Sequence, residues 1–428
     1  MTSGLEWEQA ADARLDGLVV YQVGGSVRDR LLGLPAGDRD FVVVGSTPEE
    51  LLRRGFRPVG REFPVFLHPD SGDEFALART ERKHGRGYRG FVFRTGPEVT
   101  LEEDLARRDL TINAMAAAPD GRLIDPFHGC VDLRAGRLRH VSDAFREDPV
   151  RILRLARFAT RFDDFAIADA TLDLCRQMVR DGETEHLVAE RVWQEMSRAL
   201  MHERPARFIE VLRETGGLAV VLPEVDALFG IPQPARHHPE IDTGRHVLLV
   251  LDQAAALGGD LPVRFAALVH DLGKALSPPD LLPAHHGHER RGLALIRKLC
   301  ERLRVPNACR ELALLVGELH LKVHQVEQMR PGKVLQLLER IDVFRRPQRL
   351  APFLLACQAD YTGRLGREAR AYPQADLLVR AAAAAGEING GRLAAQGLEG
   401  PAIARALQQQ RIQRIQRELQ SGSEPNQR

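Results

Sequence analysis

Aromatic residues are scarce in this chain, at 5% of the total, with two tryptophans and four tyrosines. That speaks against a stacking platform of many rings, so a nucleic-acid ligand would be held mainly through its backbone. The five cysteines (Cys130, Cys175, Cys300, Cys309, Cys357) are odd in number and never form a CxxC pair. This argues against a disulfide framework or a zinc ribbon and fits reduced thiols in a cytoplasmic protein. No uninterrupted apolar run reaches the ~20 residues that span a bilayer. The N-terminal stretch MTSGLEWEQAADARLDG carries acids where a secretion signal needs an apolar core. Net charge is also nearly absent, since 60 Lys and Arg against 59 Asp and Glu leave +1. Any surface for a polyanion must then be a local patch balanced by acid elsewhere.

What is present is enough for several domains: 428 residues, 44% of them hydrophobic, where single cores stop growing near ~250–300 residues. After an extension at 1–17, residues 18–145 have a mixed α/β texture. Here LVVYQV, DFVVVG, FPVFLHP, EFALART, RLIDPF and RLRHV read as strands punctuated by Gly and Pro. From Asp148 onward the pattern changes to amphipathic helices such as VRILRLARFATRF, TLDLCRQMVRDG, AERVWQEMSRALM and PARFIEVLRETGG. The expected fold is α+β: a small head with a mixed sheet, then an all-α neck (146–228), body (229–345) and tail (346–428). The tail ends in a basic amphipathic helix, PAIARALQQQRIQRIQRELQ, suited to an RNA or an oligomer contact.

The head carries the strongest chemical signal. A strand ends at Val23, and Gly24-Gly25-Ser26 opens a helix, which lets backbone N–H groups approach a phosphate. Arg28, one turn in, can add a charge-assisted contact to a triphosphate. In DRDFVVV, period-2 alternation puts Asp38 and Asp40 on one strand face and Arg39 on the other. Two adjacent carboxylates repel unless a cation lies between them, and hard oxygen ligands suit Mg²⁺ together with substrate phosphates. Two metals about 3.5–4 Å apart would activate an attacking hydroxyl and stabilise a leaving pyrophosphate. Either half of this signal is common by chance; the two at close range are not.

These residues resemble motif A of the class II tRNA nucleotidyltransferases and bacterial poly(A) polymerases, a branch of the polymerase-β superfamily. RRDLTINAMA (Arg107 to Ala116), DPFHGCVDL (Asp125 to Leu133) and EDPVRILRLARF (Glu147 to Phe158) are similar to the later motifs of that family, in the same order. The resemblance implies Asp38 and Asp40 as catalytic Mg²⁺ ligands, with Glu74 as a third carboxylate. It implies a nucleotide site of Gly25, Arg28, Arg108, Asp109, Asp148, Arg151, Arg154 and Arg157. Asp109 can accept from a ribose 2′-OH. Positions 148, 151, 154 and 157 share roughly one helix face. There Asp148 and Arg151 have the donors and acceptors to imitate a base edge, and Arg154 and Arg157 to hold phosphates. The Gly-rich basic stretch Arg82 to Gly96 reads as a mobile loop, and resembles the family's element for switching from CTP to ATP.

The body holds a second constellation. His270-Asp271 lies in an apolar helical stretch, with His246 upstream and His285, His286, His288, His320 and Asp360 downstream. Imidazoles with carboxylates suit a transition metal such as Ni²⁺, or Mn²⁺, Co²⁺ or Mg²⁺, and an open coordination position activates water for phosphoester hydrolysis. The pattern resembles the HD phosphohydrolase superfamily, with His246, His270, Asp271 and Asp360 as its site. Transferases that carry this domain are associated with 2′,3′-cyclic phosphodiesterase, 2′-nucleotidase and phosphatase activities. Some relatives have a second His-Asp pair where this chain has His320-Leu321, which argues against a metal role for His320.

The leading expectation is addition and repair of the 3′-terminal CCA of tRNA from CTP and ATP, with RNA-end hydrolysis in the body. The partners are tRNA and the two nucleotides, with no membrane, and the enzyme is a monomer or a homodimer. Rivals are a poly(A) polymerase, an enzyme adding part of CCA, and a phosphohydrolase with a non-catalytic RNA-binding head. Glu62 stands where poly(A)-adding relatives tend to carry a basic residue, which disfavours the first.

Overall fold

The computed structural model describes residues 12–35, 37–59, 65–83 and 91–421. Glu62, the centre of the Gly-rich stretch, most of the N-terminal extension and the polar tail lie outside them. The chain divides into two compact units, Met1–Glu195 with Glu210–Val221, and Met196–Ile209 with Leu222–Arg428. The α+β architecture expected from the sequence is the one found.

In the first unit the β-branched runs become β1 (Val19–Val23) and β2 (Asp40–Val44). They are followed by β3 (Arg57–Val59), β4 (Val65–Leu67), β5 (Glu74–Leu77), β6 (Arg79–Lys83), β7 (Phe91–Thr95), β8 (Ala116–Ala117) and β9 (Leu123–Ile124). Seven of them form one mixed sheet in the order β3-β4-β5-β2-β1-β8-β9. β1 runs antiparallel to β2, while β2 and β5 are parallel with Asp40 opposite Glu74. The unbroken apolar run of β2 reflects its central place, because both of its faces are covered. One face packs Val20, Phe41, Val43, Phe75 and Leu77 over Leu15, Leu51, Phe56 and Phe66. The other packs Val23 and Val42 with Val99, Leu105 and Ala114.

RLRHV contributes a strand, as read from the sequence, but outside the seven-stranded sheet: β10 (Arg137–Leu138) pairs in parallel with β11 (Ala166–Ile167). One sequence expectation is corrected. The Arg82 to Gly96 stretch is not all loop, since β6 and β7 form a separate antiparallel ribbon with Lys83 opposite Phe91.

In the second unit the helix Leu261–Val269 is buried along nearly its whole length and packs against Thr243–Ala256, Asn307–His324 and Leu350–Thr362. The basic helix Pro401–Ser421 docks on Pro331–Ile341 and Pro373–Gly386, fully burying Ile415. Gly273 is needed for the arrangement around His270-Asp271. A Cβ there would lie 2.0 Å from the carbonyl oxygen of His288 and 2.6 Å from the amide of Gly292. Its absence lets the helix His288–Arg302 cross the turn closely enough to bring His288 to Asp271.

Candidate functional site

Gly24 turns the chain out of β1 with a positive φ of 72°, and the helix Gly25–Leu31 follows. A Cβ on Gly24 would lie 3.1 Å from the Arg108 guanidinium and 4.0 Å from Asp40 Oδ2. Backbone, cation and carboxylate therefore meet at one point. The strand begins at Asp40, with the exposed Asp38 just before it, so the two acids do not share a strand as the alternation suggested. Arg39 turns away to Asp73, 2.6 Å off. The parallel pairing of β2 with β5 brings Glu74 beside Asp40. Partial burial and the charges of Glu74 and Asp38 push the Asp40 carboxyl above its ordinary range, against the pull of Arg108. Carboxylates crowded enough that their burial and mutual repulsion outweigh the pull of the neighbouring guanidinium are a fit for divalent metal.

The neighbouring residues named from the sequence are all paired within the protein. Arg28 is buried; it donates to Asp29 Oδ1 at 2.8 and 2.9 Å and to Asn113, and lies 5.3 and 5.2 Å from the ring centres of Phe158 and Phe162. Arg108 is 3.2 Å from Asp104 Oδ2. Asp109 accepts from Leu110 N (2.8 Å), Asn113 Nδ2 (3.0 Å) and Arg154 Nε (2.7 Å). Burial would raise its carboxyl, but Arg154 and these donors hold it well below the carboxylate range.

On the helix Val150–Arg161, Arg151 donates to the carbonyls of Ala144 and Arg107, both at 2.6 Å. Asp148, just before that helix, pairs with Arg191 at 2.6 Å, and Arg157 with Glu195 at 2.5 Å. Sequence reading had found the arginines and Asp148, but not Arg191 or Glu195, which carry no motif signal, nor Asn113, which lies within RRDLTINAMA but was not singled out there.

In the second unit, the four residues expected from the sequence come together. His246 Nε2 is 3.1 Å from Asp360 Oδ1 and 3.8 Å from Asp271 Oδ2; His270 Nε2 is 3.2 Å from Asp271 Oδ2 and 3.6 Å from Asp360 Oδ1. All four are buried. The cluster is larger than expected. His288 Nε2 lies 3.1 Å and His320 Nε2 3.8 Å from Asp271 Oδ1, and His324 Nε2 lies 2.7 Å from Asp360 Oδ2. His320 thus lies within the cluster, although the missing aspartate at 321 spoke against it. Residue 321, about 100° further round the helix, has no bearing on where His320 points.

Asp271 Oδ1, and Nε2 of His270 and His288, are buried without a directed hydrogen bond, while Asp271 Oδ2 lies 2.6 Å from Lys274 Nζ. Such orphaned donors and acceptors call for a partner, and imidazole nitrogens ringing a carboxylate fit a divalent metal. His246, His270 and Asp271 offer ligand atoms within 4.8 Å of one another, as do Asp271, His288 and His320. Burial would depress His270, but Asp271 and Asp360 raise it to about 10; His320, by contrast, is pushed down to about 3, chiefly by burial.

Behind His246, Glu240 was not anticipated. Its Oε1 lies 2.9 Å from His246 Nδ1 and 3.1 Å from His238 Nδ1. A carboxylate behind a ligating imidazole fixes its tautomer and orients the other nitrogen toward the metal. Glu240→Gln keeps the shape and removes the charge, so metal affinity is expected to fall about 10–100-fold. Titration of the chelator-stripped protein, followed by calorimetry, measures this; unchanged affinity would make Glu240 purely structural.

Known proteins resemble the chain over most of its length. Residues 20–139 match the poly A polymerase head domain, 164–229 the probable RNA and SrmB-binding site of polymerase A, and 243–346 the HD domain. The multifunctional CCA protein of Alkalilimnicola ehrlichii is 59% identical over 92% of this chain and 96% of its own. That of Chromobacterium violaceum is 62% identical over 90% and 94%. Among solved structures, the Thermotoga maritima CCA-adding enzyme complexed with tRNA has a TM-score of 0.62 at 21% identity. The match covers 96% of this chain and 94% of that one, a likeness of fold.

Proposed function

Because the chain belongs to the multifunctional CCA protein family, we propose that it builds and repairs the 3′-terminal CCA of tRNA from CTP and ATP, and that its HD domain hydrolyses phosphoesters at RNA ends. It is a nucleotidyltransferase with an HD domain. The observation that carries the first activity is the meeting of Gly24, Arg108, Asp40 and Glu74 at one point of the head.

In this reading the tRNA 3′-OH attacks the α-phosphate of the nucleotide and pyrophosphate leaves. Mg²⁺ held by Asp38 and Asp40, with Glu74 beside them, would supply Lewis acidity toward the triphosphate. The Gly24-Gly25 turn and Arg108 bind phosphates, with Arg28 anchoring that helix beside them. Asp109 accepts from the ribose 2′-OH, which distinguishes NTP from dNTP. Asp148 and Arg151 select C and A by their hydrogen-bonding edges, while Arg154 and Arg157 hold phosphates. Asp148, Arg154 and Arg157 are paired with opposite charges and Arg151 with backbone carbonyls, so nucleotide binding exchanges one set of polar partners for another. That exchange lowers the cost of keeping the charges buried between turnovers.

The second activity takes 2′,3′-cyclic phosphates, 2′-nucleotides and phosphomonoesters. His246, His270, Asp271 and Asp360, with His288 and His320, would hold a divalent metal such as Ni²⁺, Mn²⁺, Co²⁺ or Mg²⁺, which would supply Lewis acidity toward water and the phosphoester. Among the described residues no helix is long and apolar enough to cross a membrane.

Nucleotide addition to a tRNA transcript lacking CCA tests the transferase. With Mg²⁺, two residues added from CTP and a third when ATP is also present, then a stop, are the expected products. A long ladder from ATP alone would make the enzyme a poly(A) polymerase. No extension would leave only the hydrolase.

A further inference from the structure

Past the metal-cluster residue Asp360, the chain runs Tyr361-Thr362-Gly363-Arg364-Leu365-Gly366-Arg367-Glu368-Ala369-Arg370-Ala371-Tyr372, with an arginine at every third position and two of the chain's four tyrosines. Arg364 ties this segment to the cluster. Its guanidinium donates to the carbonyl of Asp360 (3.2 Å), lies 3.5 Å from Asp360 Oδ1 and donates to the carbonyl of His237 (3.2 Å). Arg367 adds a second stitch, donating to the carbonyl of Arg236 at 2.9 Å. The strip at 236–237 leads straight into His238 and Glu240, which stand behind His246. Two segments next to the metal cluster thus form one rim.

The rim is positive and uncompensated. Arg236 donates to the imidazole of its neighbour His237, Arg367 to a carbonyl, and Arg370 lies 5.1 Å from the ring centre of Tyr361. Among the described residues none of these three guanidinium groups has a carboxylate partner; Glu368, the acid between them, accepts from the amide of Gly366. Some other exposed arginines of this unit are matched to acids, as Arg340 is to Glu318 and Arg302 to Glu224; what sets the rim apart is that its three unmatched guanidinium groups lie on two segments stitched together beside one cluster. Like charges gathered without counterions in a protein of almost zero net charge are a footprint for a polyanion.

The tyrosines add a face for a base. Tyr361 is half-buried and its ring centre lies 5.0 Å from that of Tyr372. Tyr372 is fixed in turn by His324, whose Nδ1 is 2.9 Å from the phenol oxygen and whose Nε2 is 2.7 Å from Asp360 Oδ2. The platform is anchored to the same carboxylate that faces the metal cluster.

We propose that Arg236, Arg367, Arg370 and Tyr361 form a subsite for the single-stranded RNA that precedes the terminal phosphate hydrolysed at the metal cluster, with a base stacked on Tyr361 and backbone phosphates on the arginines. The inference rests on the hydrolase reading and deepens it. A mononucleotide carries one phosphate, and that phosphate is committed to the metal; the three unpaired cations have no role in its recognition. An RNA end supplies both the further phosphates and the stacked base, so the substrate class is an oligoribonucleotide or tRNA terminus.

Hydrolysis of cytidine 2′,3′-cyclic phosphate is compared with that of a short oligoribonucleotide ending in the same group, using the full-length metal-loaded protein over a range of salt. The expected preference for the oligomer is about tenfold or more in kcat/KM, from stacking and phosphate contacts together. Its logarithmic salt slope is expected to be steeper by about 2, at ~0.7 per phosphate. The variant Arg236→Ala/Arg367→Ala/Arg370→Ala loses the preference and the extra slope, and its mononucleotide turnover changes far less. Tyr361→Leu loses part of the preference but keeps the slope, which separates stacking from charge. Equal kcat/KM for both substrates in the wild type, or a preference that survives in the triple variant, overturns the subsite. If the wild type turns over neither substrate while still adding nucleotides to tRNA, the hydrolase reading fails and takes the subsite with it.

Discussion

Asp40→Ala is expected to reduce nucleotide addition by about three orders of magnitude, because a metal-bound carboxylate supports several kcal/mol of charge stabilisation and each ~1.4 kcal/mol is tenfold in rate. The loss should appear without loss of fold. Asp40 contributes only backbone bonds to the sheet, opposite Val23 and Glu74, and alanine retains those. Its carboxyl is pushed above the ordinary range by partial burial and by the acids around it. The charged form is thus disfavoured in the folded protein, and removing it relieves repulsion with Glu74. The metal-free variant should therefore melt no earlier than the wild type. Primer extension on tRNA lacking CCA gives the rate, and phosphoester hydrolysis by the same preparation gives the control. Addition retained within about tenfold would displace Asp40 from the catalytic centre.

Asp271→Asn should have the opposite pattern. Asp271 faces His288 and His320 with one oxygen and His246, His270 and Lys274 with the other; Lys274 Nζ is 2.6 Å away. Burial opposes its ionisation, yet His270 and Lys274 hold it well below the carboxylate range. Asparagine preserves the shape and removes the charge on which a metal depends. Metal retained after dialysis should fall to background, and hydrolysis by about a thousandfold or more. Nucleotide addition should stay within about twofold, because the head residues belong to a separate compact unit.

The substitution also leaves the buried ammonium of Lys274 without its charged partner, with Gln233 Oε1 at 2.5 Å still accepting from it, a cost of about 3–5 kcal/mol when half of a buried pair is removed. Asp271→Asn/Lys274→Met removes that orphaned charge and is expected to recover much of the stability without recovering metal. Metal retention by the stable double variant would mean that Asp271 is not a ligand. Parallel loss of nucleotide addition in that variant would mean that the two activities are not housed separately.

The sequence by itself determined the order of the parts and the local chemistry of each. Gly24-Gly25 ahead of a helix, Asp38 and Asp40 at the start of an apolar run, and His270-Asp271 closing an apolar helix were legible because each depends on a few consecutive residues. So was the change from strand to helix texture near Asp148, which follows from side-chain periodicity. What only the tertiary structure decided was which distant residues complete each site. Glu74 reaches Asp40 through the parallel pairing of β2 with β5, a register that the sequence does not encode locally. His320 and His324 reach the two acids because Asn307–His324 packs against Leu261–Val269 and Leu350–Thr362, and His288 because its helix crosses the turn at Gly273. Arg191 and Glu195 meet Asp148 and Arg157 in the same way. Such contacts come from buried area and charge pairing between segments far apart in the chain, and neither leaves a period or a motif in the residues that make them.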